Sequence, residues 1–240
     1  MVKKRGENVI IGENVTIGSD VEIGNNVIIK SDVQIGSGAR IEDNVILGYK
    51  TLSKLRADYQ DRSLTTIIGE GSLIRSGAII YAGCKIGKNS SVNHNAVLRE
   101  FTELGDRSSL GNLIMCEGYT RIGDRVVIHS QCHLTAKMIV ENCVFMGPNV
   151  TTGNDRKIVY LRCENPAEVE DLEKGPVIRY GARIGAAATL LPFVEIGRET
   201  LVGSGAVVVK DTPPFSIVVG VPARVVGTVP DEERLSEVSS

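Results

Sequence analysis

Residues 68–97 read IGEGSL, IRSGAI, IYAGCK, IGKNSS and VNHNAV, five consecutive blocks of six that each begin with a large aliphatic side chain. The same register continues to Thr152, and it also runs from Ile11 to Leu47 and from Ile178 to Val208. An α-helix repeats its apolar side chains about every 3.6 residues and a half-buried strand alternates them, so a strict period of six requires a short strand followed by a tight turn. The period predicts an all-β solenoid.

Two positions of each block are predicted to face inward. The first holds the large aliphatic residue, and the fifth holds a smaller one such as Val15, Ala78 or Cys84. Glycine often follows the large residue, and Asn, Asp or Ser comes next, which is typical of turns that need relaxed backbone angles. Three blocks would close one coil, which predicts a triangular prism of about nine coils, roughly 40 Å long at the spacing of parallel strands.

Composition narrows the classes of partner. The chain has 240 residues, a formal net charge of −2 and only 4% aromatic residues. It has no long basic run, so we expect no nucleic-acid partner. No apolar segment approaches the roughly 18 residues of a membrane span, so we expect no membrane partner and a cytoplasmic protein. Five cysteines, an odd number, are expected to be free thiols.

The repeat predicts a single domain over residues 1–228 and a C-terminal tail or short helix over 229–240. Two polar loops interrupt it, at 48–66 and 153–176. The first is either a contact for a phosphorylated ligand or a solvated connector, and both interpretations stay open. The second is long enough to be functional, and we interpret it as a substrate lid in which AEVEDLEK forms a short helix. Pro213 and Pro214 are expected to end the strand pairing.

The three histidines differ in their position within the block. His94 is third in VNHNAV, which places it in a turn, whereas His129 and His133 are predicted to point outward from flat faces. An imidazole titrates near neutrality and is a natural general base. Asn93 and Asn95 flank His94 and could bind a substrate by hydrogen bonds. The alternative is that His94 is an ordinary surface residue of a turn.

The motifs NHNAVL, GPNVTTGND and GVPARVVG resemble those of the hexapeptide-repeat acyltransferases, whose fold is the left-handed parallel β-helix. Within that superfamily, residues 68–228 are most similar to the nucleotide-amino-sugar N-acetyltransferases of polysaccharide biosynthesis. The resemblance implies acetyl-CoA as co-substrate, no metal, and a homotrimer whose active sites lie between subunits.

The same resemblance assigns roles to single residues. It makes His94 the general base and places Asn149, Asn154 and Asp155 in the sugar site. Asn93 and Asn95, which flank His94, and Asn112 are further candidates for that site, and we hypothesise that a backbone N–H near Gly111 or Gly147 donates to the oxyanion. The acetyl-CoA groove would contain Gly185, Ala187, Gly203, Ser204, Gly205 and Ala206, with Lys210 and Arg224 at the CoA phosphates. The block LGNL, at Asn112, departs from the LGQN-like block of the family, which leaves the identity of the sugar open.

Three alternatives remain. A sugar O-acetyltransferase would use the same coils, because they do not distinguish an amine from a hydroxyl acceptor. A γ-type carbonic anhydrase-like metalloprotein shares the fold and binds its metal through three histidines, although the spacing of the three here does not match. A non-enzymatic scaffold is the third, and the glycine-rich C-terminal coils argue against it.

Overall fold

The computed structural model describes residues 3–51, 63–156 and 174–235. These residues form short strands and a single-turn 3-10 helix at Asp231–Glu233, and they include no helix long and apolar enough to cross a membrane. The strands, in chain order, are β1 (Lys4–Arg5), β2 (Ile10–Ile11), β3 (Thr16–Ile17), β4 (Glu22–Ile23), β5 (Ile28–Ile29), β6 (Val33–Ile35), β7 (Arg40–Ile41), β8 (Ile46–Tyr49), β9 (Thr66–Ile68), β10 (Leu73–Ile74), β11 (Ile79–Tyr81), β12 (Lys85–Ile86), β13 (Ser91–Val92), β14 (Val97–Leu98), β15 (Glu103–Leu104), β16 (Ser109–Leu110), β17 (Met115–Cys116), β18 (Arg121–Ile122), β19 (Val127–Ile128), β20 (His133–Leu134), β21 (Ile139–Val140), β22 (Phe145–Met146), β23 (Thr151–Thr152), β24 (Val177–Ile178), β25 (Arg183–Ile184), β26 (Thr189–Leu190), β27 (Glu195–Ile196), β28 (Leu201–Val202), β29 (Val207–Val208), β30 (Ser216–Val219) and β31 (Arg224–Thr228).

The strands stack into three sheets, here called faces A, B and C. Face A has the order β1-β4-β7-β10-β13-β16-β19-β22-β25-β28-β30-β31, face B has β2-β5-β8-β11-β14-β17-β20-β23-β26-β29, and face C has β3-β6-β9-β12-β15-β18-β21-β24-β27. The chain visits A, B and C in turn, and paired residues of adjacent coils are typically 18 apart, as Ser91 and Ser109 are. Each such coil is called a rung below. The structure has about ten rungs, which confirms the predicted β-solenoid.

The inward positions of the blocks form one continuous core. Nearly all first-position aliphatics from Ile23 onward are almost fully buried, and so are Cys116 and Thr152, the two non-aliphatic residues in that register. The Thr152 hydroxyl donates to the His133 carbonyl at 3.0 Å, so its burial leaves no unpaired polar group. Burial raises the pKa of the Cys116 thiol to about 12, and it raises that of Cys84 as well. These core thiols are therefore neutral side chains.

Glycine is required at the second position of the block for a different reason from the one that the sequence suggested. A glycine in the second position, such as Gly87, has an ordinary φ, but a Cβ there would lie 2.5 Å from the carbonyl carbon of Gly105 on the next rung. The left-handed residues are instead in the fourth position, as Asn95 (φ 55°) and Arg107 (φ 54°) are. Second-position glycines are therefore required by the close stacking of rungs, and the prediction that relaxed turn angles explain them is wrong for this position.

The turns between faces form three edges of the prism. Corner AB comprises residues 6–8, 24–26, 42–44, 75–77, 93–95, 111–113, 129–131, 147–149, 185–187 and 203–205. Corner BC joins face B to face C, and both predicted loops lie on it, the first between β8 and β9 and the second between β23 and β24. The middle of each loop, including the helix predicted at AEVEDLEK, lies outside the described residues. The substrate lid therefore stays a prediction.

The C-terminal segment corrects a second expectation. After Pro213 and Pro214 the strand β30 still pairs in parallel with β28, and β31 returns antiparallel beside it. The prolines lie in the stretch between β29 and β30, which passes beside β27 without forming a strand and so needs no ladder N–H from them. The carbonyl of Pro213 accepts hydrogen bonds from the Thr200 and Ser216 hydroxyls, both at 2.7 Å. Strand pairing thus continues past the prolines.

Candidate functional site

Corner AB brings most of the predicted site residues onto one line. His94 lies on the fifth rung, and the following rungs carry Asn112, Ser130, Asn149, Ala187 and Ser204 in turn. At about 4.8 Å per rung, Asn149 is roughly 14 Å and Ser204 roughly 24 Å from His94 along the edge. The edge has no insertion over this length, so the spacing follows directly from the six-residue period.

The turn that carries His94 is hydrogen-bonded to the rung that follows it and to the rung that precedes it. The N–H of His94 donates to Oδ1 of Asn112 at 3.1 Å, and its carbonyl accepts from the N–H of Leu113 at 2.9 Å. The preceding rung is tied in the same way, because Asn95 donates its N–H to the carbonyl of Ser76 at 3.1 Å. The half-buried imidazole therefore extends from a rigid turn, which suits a group that must hold its position.

Arg75 is a neighbour of His94 that the sequence did not reveal. Its Nη1 lies 3.3 Å from Nε2 of His94. Glu42, one rung below Arg75, is also on corner AB, and its Oε2 accepts from the N–H of Ser76 at 3.2 Å and from the Ser76 hydroxyl at 3.3 Å. Arg75 is in the second position of its block, and His94 is in the third position of the block that comes three blocks later. The two residues are neighbours only because three blocks make one coil of 18 residues.

Asn112 has a structural role that limits its part in binding. In many rungs the third-position side chain accepts a hydrogen bond from the N–H of the equivalent residue one rung earlier, and the Asn112 to His94 contact is of this kind. Its Oδ1 is therefore engaged, and its Nδ2 is the group left for a ligand. By contrast Asn95 and Asn149 are exposed, and both take left-handed backbone angles (φ 55° and 61°) that asparagine tolerates well.

Asn154 and Asp155 are not brought together with His94. They follow β23 on corner BC, whereas His94 and Asn149 lie on corner AB, across face B. The carbonyl of Asn154 accepts from the N–H of Lys174 at 3.0 Å, which closes the base of the second loop. Within one chain, the predicted sugar-site residues thus divide between two edges.

The two predicted phosphate contacts do meet. Lys210 and Arg224, both exposed, line the same cavity of about 300 Å³ at the C-terminal end of the prism. The cavity's other lining residues are Val208, Asp211, Thr212, Val218, Ala223 and Val225. Two cations beside an apolar wall form an arrangement that accepts phosphate and a flexible apolar chain. Gly203, Gly205 and Ala206 lie at the corner AB end of the same last rung.

The predicted oxyanion donors are already used. The N–H of Gly111 donates to the carbonyl of Ile128 at 2.7 Å, and that of Gly147 donates to Ile184 at 2.8 Å. A strand-ladder amide cannot serve a ligand without breaking the ladder, so neither glycine fits that role. Ser130 offers an alternative on the same edge. Among the described residues its N–H has no acceptor, because Pro148 stands where the next rung would place a polar third-position side chain.

His133 lies on a flat face, and it has a charged partner there. Its Nε2 lies 3.6 Å from Oε1 of Glu117, whose other oxygen accepts from the Thr135 hydroxyl and the N–H of Ala136. The hydrogen bond to Glu117 raises the pKa of His133, and the same contact lowers the pKa of Glu117. His129 is exposed and packs edge-on against Phe145, with ring centroids 5.3 Å apart. His129 lies on corner AB, not on a flat face as predicted, so two histidines share this edge, and His94 is the one that contacts a cation.

Two observations bear on other kinds of site. Among the residues that the structure describes, no three His, Cys, Asp or Glu side chains converge as metal ligands. A groove of about 650 Å³ lies away from His94, on face C and on the edge between faces C and A, here called corner CA, between Lys85 and Glu141. It is lined by alternating charges, such as the Lys85–Glu103 pair at 2.8 Å, that already satisfy one another.

An apolar patch adjoins the edge that carries His94. Leu113 on corner AB, Met115 on β17, and Val127 and Phe145 on β19 and β22 are between 39% and 54% exposed. These large side chains flank the corner on both faces and lie one to three rungs beyond His94. Such a patch is typical of a surface that another protein covers.

Known proteins are similar to this chain in fold and, over part of its length, in sequence. A family model described as the GMPPB C-terminal domain matches residues 5–116. Serine acetyltransferase of Escherichia coli (strain K12) is 36% identical over 98 residues, which is 41% of this chain and 31% of that protein. The enzyme of the same name from Mycobacterium tuberculosis is 32% identical over 104 residues, 42% of this chain and 45% of that protein. The chain thus spans less than half the length of these curated relatives.

Solved structures extend the likeness to nearly the whole chain. LpxA from Acinetobacter baumannii superposes with a TM-score of 0.55 at 17% identity, covering 92% of this chain and 72% of that one. A crystal structure of UDP-N-acetylglucosamine acyltransferase gives 0.53 at 17% identity, covering 91% and 71%. At such identity the likeness shows the fold alone, and it confirms the predicted left-handed parallel β-helix. The chain thus shares the fold of these acyltransferases, and part of its sequence is similar to the serine acetyltransferases.

Proposed function

We propose that the protein is an acetyl-CoA-dependent acyltransferase that N-acetylates the amino group of a nucleotide-linked amino sugar, for use in polysaccharide biosynthesis. The observation that carries the proposal is the arrangement of corner AB. A fixed histidine at its fifth rung is followed by an uninterrupted edge of mostly small and polar residues, and the cations Lys210 and Arg224 line a cavity at the same C-terminal end of the prism. The 36% identity to a serine acetyltransferase supports acyl transfer independently of this geometry.

The residues of the last rungs fit acetyl-CoA. A Cβ at Gly185 would lie 2.5 Å from the backbone nitrogen of Ser204, so a side chain does not fit at this position. The residues at 203–206 are also small. Lys210 and Arg224 would bind the phosphates, with charge-assisted hydrogen bonds from the guanidinium. When bound, acetyl-CoA supplies an activated acetyl thioester. The chain's own part is to hold that molecule along the edge and keep its reactive end near an acceptor.

His94 would take the proton of the acceptor. A neutral imidazole accepts one proton at its unprotonated nitrogen, and the lone pair left on the acceptor nitrogen or oxygen becomes the nucleophile. The N–H of Ser130 is an amide on this edge, two rungs from His94, that would be available to stabilise developing negative charge on oxygen. Asn95, Asn149 and Nδ2 of Asn112 are the groups that would orient the acceptor by hydrogen bonds.

The site is proposed to be completed by a second copy of the chain in a homotrimer. The exposed patch of Leu113, Met115, Val127 and Phe145 adjoins His94, and its burial between subunits would enclose the corner. The same packing would allow Asn154 and Asp155, on corner BC of one copy, to approach His94 of another. Sedimentation equilibrium checks this: a trimer in the wild type and dissociation in Phe145→Glu are expected. A cytoplasmic location remains a prediction.

A second candidate is O-acetylation, of a sugar or of a small hydroxylated amino acid. The names of the curated relatives favour it, since they are serine acetyltransferases, and the geometry of His94 serves a hydroxyl as well as an amine. A metal-dependent activity with three histidines across a subunit interface has less support, because the spacing of His94, His129 and His133 does not match that arrangement.

The deciding experiment measures thiol release from acetyl-CoA with UDP- and dTDP-linked amino sugars, free amino sugars and L-serine, followed by mass spectrometry of the product. An N-acetylated nucleotide sugar would support the proposal, and an O-acetylated product would establish the second candidate. Absence of turnover with every acceptor, in a trimer that still binds acetyl-CoA, would contradict both and indicate a binding module.

A further inference from the structure

Arg75 fills a position that is glycine on most rungs of corner AB. Six of the ten rungs of corner AB carry glycine in the second position, whereas Arg75 fills it on the fourth rung. Its side chain is half-buried and reaches Nε2 of His94 at 3.3 Å. No hydrogen bond of its guanidinium to another side chain occurs among the described residues. Among the described residues, a contact between a second-position arginine and a third-position histidine of corner AB occurs at this pair of rungs.

The contact determines which ring nitrogen of His94 carries the proton. A guanidinium is protonated at every accessible pH and has donors but no acceptor. Nε2 of His94 must therefore accept, and in the neutral ring the proton lies on Nδ1. The lone pair of Nε2 is the one that a general base would use. In the structure this lone pair faces Arg75, and the ring cannot take an acceptor's proton while that contact lasts.

Among the described residues, Arg75 also has no counter-ion. No carboxylate of residues 3–51, 63–156 or 174–235 lies within 4 Å of it, and Glu42, on the rung below, is engaged by Ser76. By contrast Arg40, Arg99 and Arg121 each pair with a glutamate within that distance. A half-buried guanidinium without a carboxylate is a ready partner for a carboxylate or phosphate of a ligand.

We propose that Arg75 binds an anionic group of the acceptor and thereby releases Nε2 of His94 to act as base. The proposal rests on the proposed function, since it assigns a positioning residue to the same site. A phosphate or carboxylate draws the guanidinium away from the imidazole. The proton of the acceptor's amine or hydroxyl then moves to Nε2, Nδ1 keeps its own proton, and the acceptor retains the lone pair. An acceptor without the anion leaves the base occupied, so Arg75 couples specificity to proton transfer.

The test reads the tautomer of His94 directly by ¹⁵N NMR of the imidazole nitrogens at pH 8.5, with assignment by His94→Gln. The wild type is expected to show the proton on Nδ1. Arg75→Gln is expected to shift it toward Nε2, the form that free histidine prefers. Arg107→Gln is the matched control, since Arg107 is exposed on another corner and has no carboxylate partner among the described residues; it should leave the wild-type spectrum unchanged. A wild-type proton on Nε2, or an unaltered spectrum in Arg75→Gln, would overturn the inference.

Titration identifies the anion. Inorganic pyrophosphate is expected to move the wild-type His94 signals toward those of Arg75→Gln, whereas chloride at equal ionic strength should not. A response to acetate as well would extend the site to carboxylates, and a response to neither pyrophosphate nor acetate would overturn anion binding. These spectra need no acetyl-CoA and no turnover, so they can fail while acetyl transfer holds, or hold while it fails. With an active acceptor, Arg75→Gln should lower kcat/KM about 10-fold or more for the anionic acceptor, and Arg75→Lys less.

Discussion

Corner AB and corner BC are built from the same six-residue blocks, yet they differ in continuity. Corner AB passes through ten turns without an insertion, so its side chains are stacked at one rung apart and tied by third-position hydrogen bonds such as that of Asn112 to His94. Corner BC is opened twice, after β8 and after β23. An uninterrupted edge fixes distances between distant residues, whereas an interrupted edge provides room for variable contacts. On the proposed function, corner AB would carry the chemistry and corner BC would adapt to the substrate.

The largest expected effect separates the two histidines of these edges. His94→Ala should lower the rate of acetyl transfer by about 10²–10⁴, the usual range for loss of a general base. His133→Ala, beside corner BC, should change it less than 3-fold, because its ring is held by Glu117 rather than by the candidate site. Steady-state thiol release with the active acceptor measures both. Equal losses in the two variants would remove the assignment of chemistry to corner AB.

A second test asks what uninterrupted stacking requires of corner AB. Gly111→Ala should destabilise the fold by about 1–3 kcal/mol, because its Cβ would lie 2.5 Å from the Ser130 nitrogen and the backbone would have to move. Gly205→Ala, on the last rung, meets no atom within 4 Å and has only its left-handed φ of 70° to oppose it. That cost is about 1 kcal/mol. Urea unfolding measures the free energy of unfolding of both variants. A larger loss in Gly205→Ala than in Gly111→Ala would contradict the stacking explanation.

The cations at the end of the prism should affect binding rather than chemistry. Removing both charges in Lys210→Ala with Arg224→Ala should raise KM for acetyl-CoA about 10-fold, equivalent to about 1.4 kcal/mol, with kcat nearly unchanged. Lys88→Ala removes an exposed cation on corner CA and serves as the control. The effect should be absent with a pantetheine thioester that lacks the phosphates. A fall in kcat alone would place the co-substrate elsewhere.

The smallest effect is a pH dependence on the corner BC side. The pKa of His133 is raised, so its contribution is complete below the ordinary pKa of about 6.5 and is lost as pH rises through the raised value. The pKa of Glu117 is lowered, so its contribution is present above about 4.3 and is lost as pH falls through the lowered value. The pair therefore stabilises most near pH 5–6.

Glu117→Gln keeps an acceptor for Thr135 and Ala136 but removes the charge. It should lower stability by at most ~1 kcal/mol near pH 6, because both partners are more than a third exposed, and by less at pH 9. Thermal melts of the two proteins at both pH values provide the comparison. A difference that grows toward pH 9 would contradict the ion pair.

The fold could be predicted because its signal repeats. Every block restates the same inward first and fifth positions, so even exceptions such as Cys116 and Thr152 were assigned correctly to the core. The role of second-position glycines could not be inferred in the same way, because the clash that requires them is with a residue on the next rung. The pairing of β30 past Pro213 and Pro214 was missed for a related reason, since the prolines interrupt the period without occupying a strand.

The sequence by itself determined the solenoid, the line of corner AB and the turn position of His94, because all three follow from counting in sixes. Only the tertiary structure decided what meets that histidine. Arg75 at its Nε2, Asn112 at its N–H, and the separation of Asn154 and Asp155 onto another edge depend on contacts between rungs and on the order of faces. A local period specifies where a side chain lies within its own coil, and the stacking of coils specifies its neighbours.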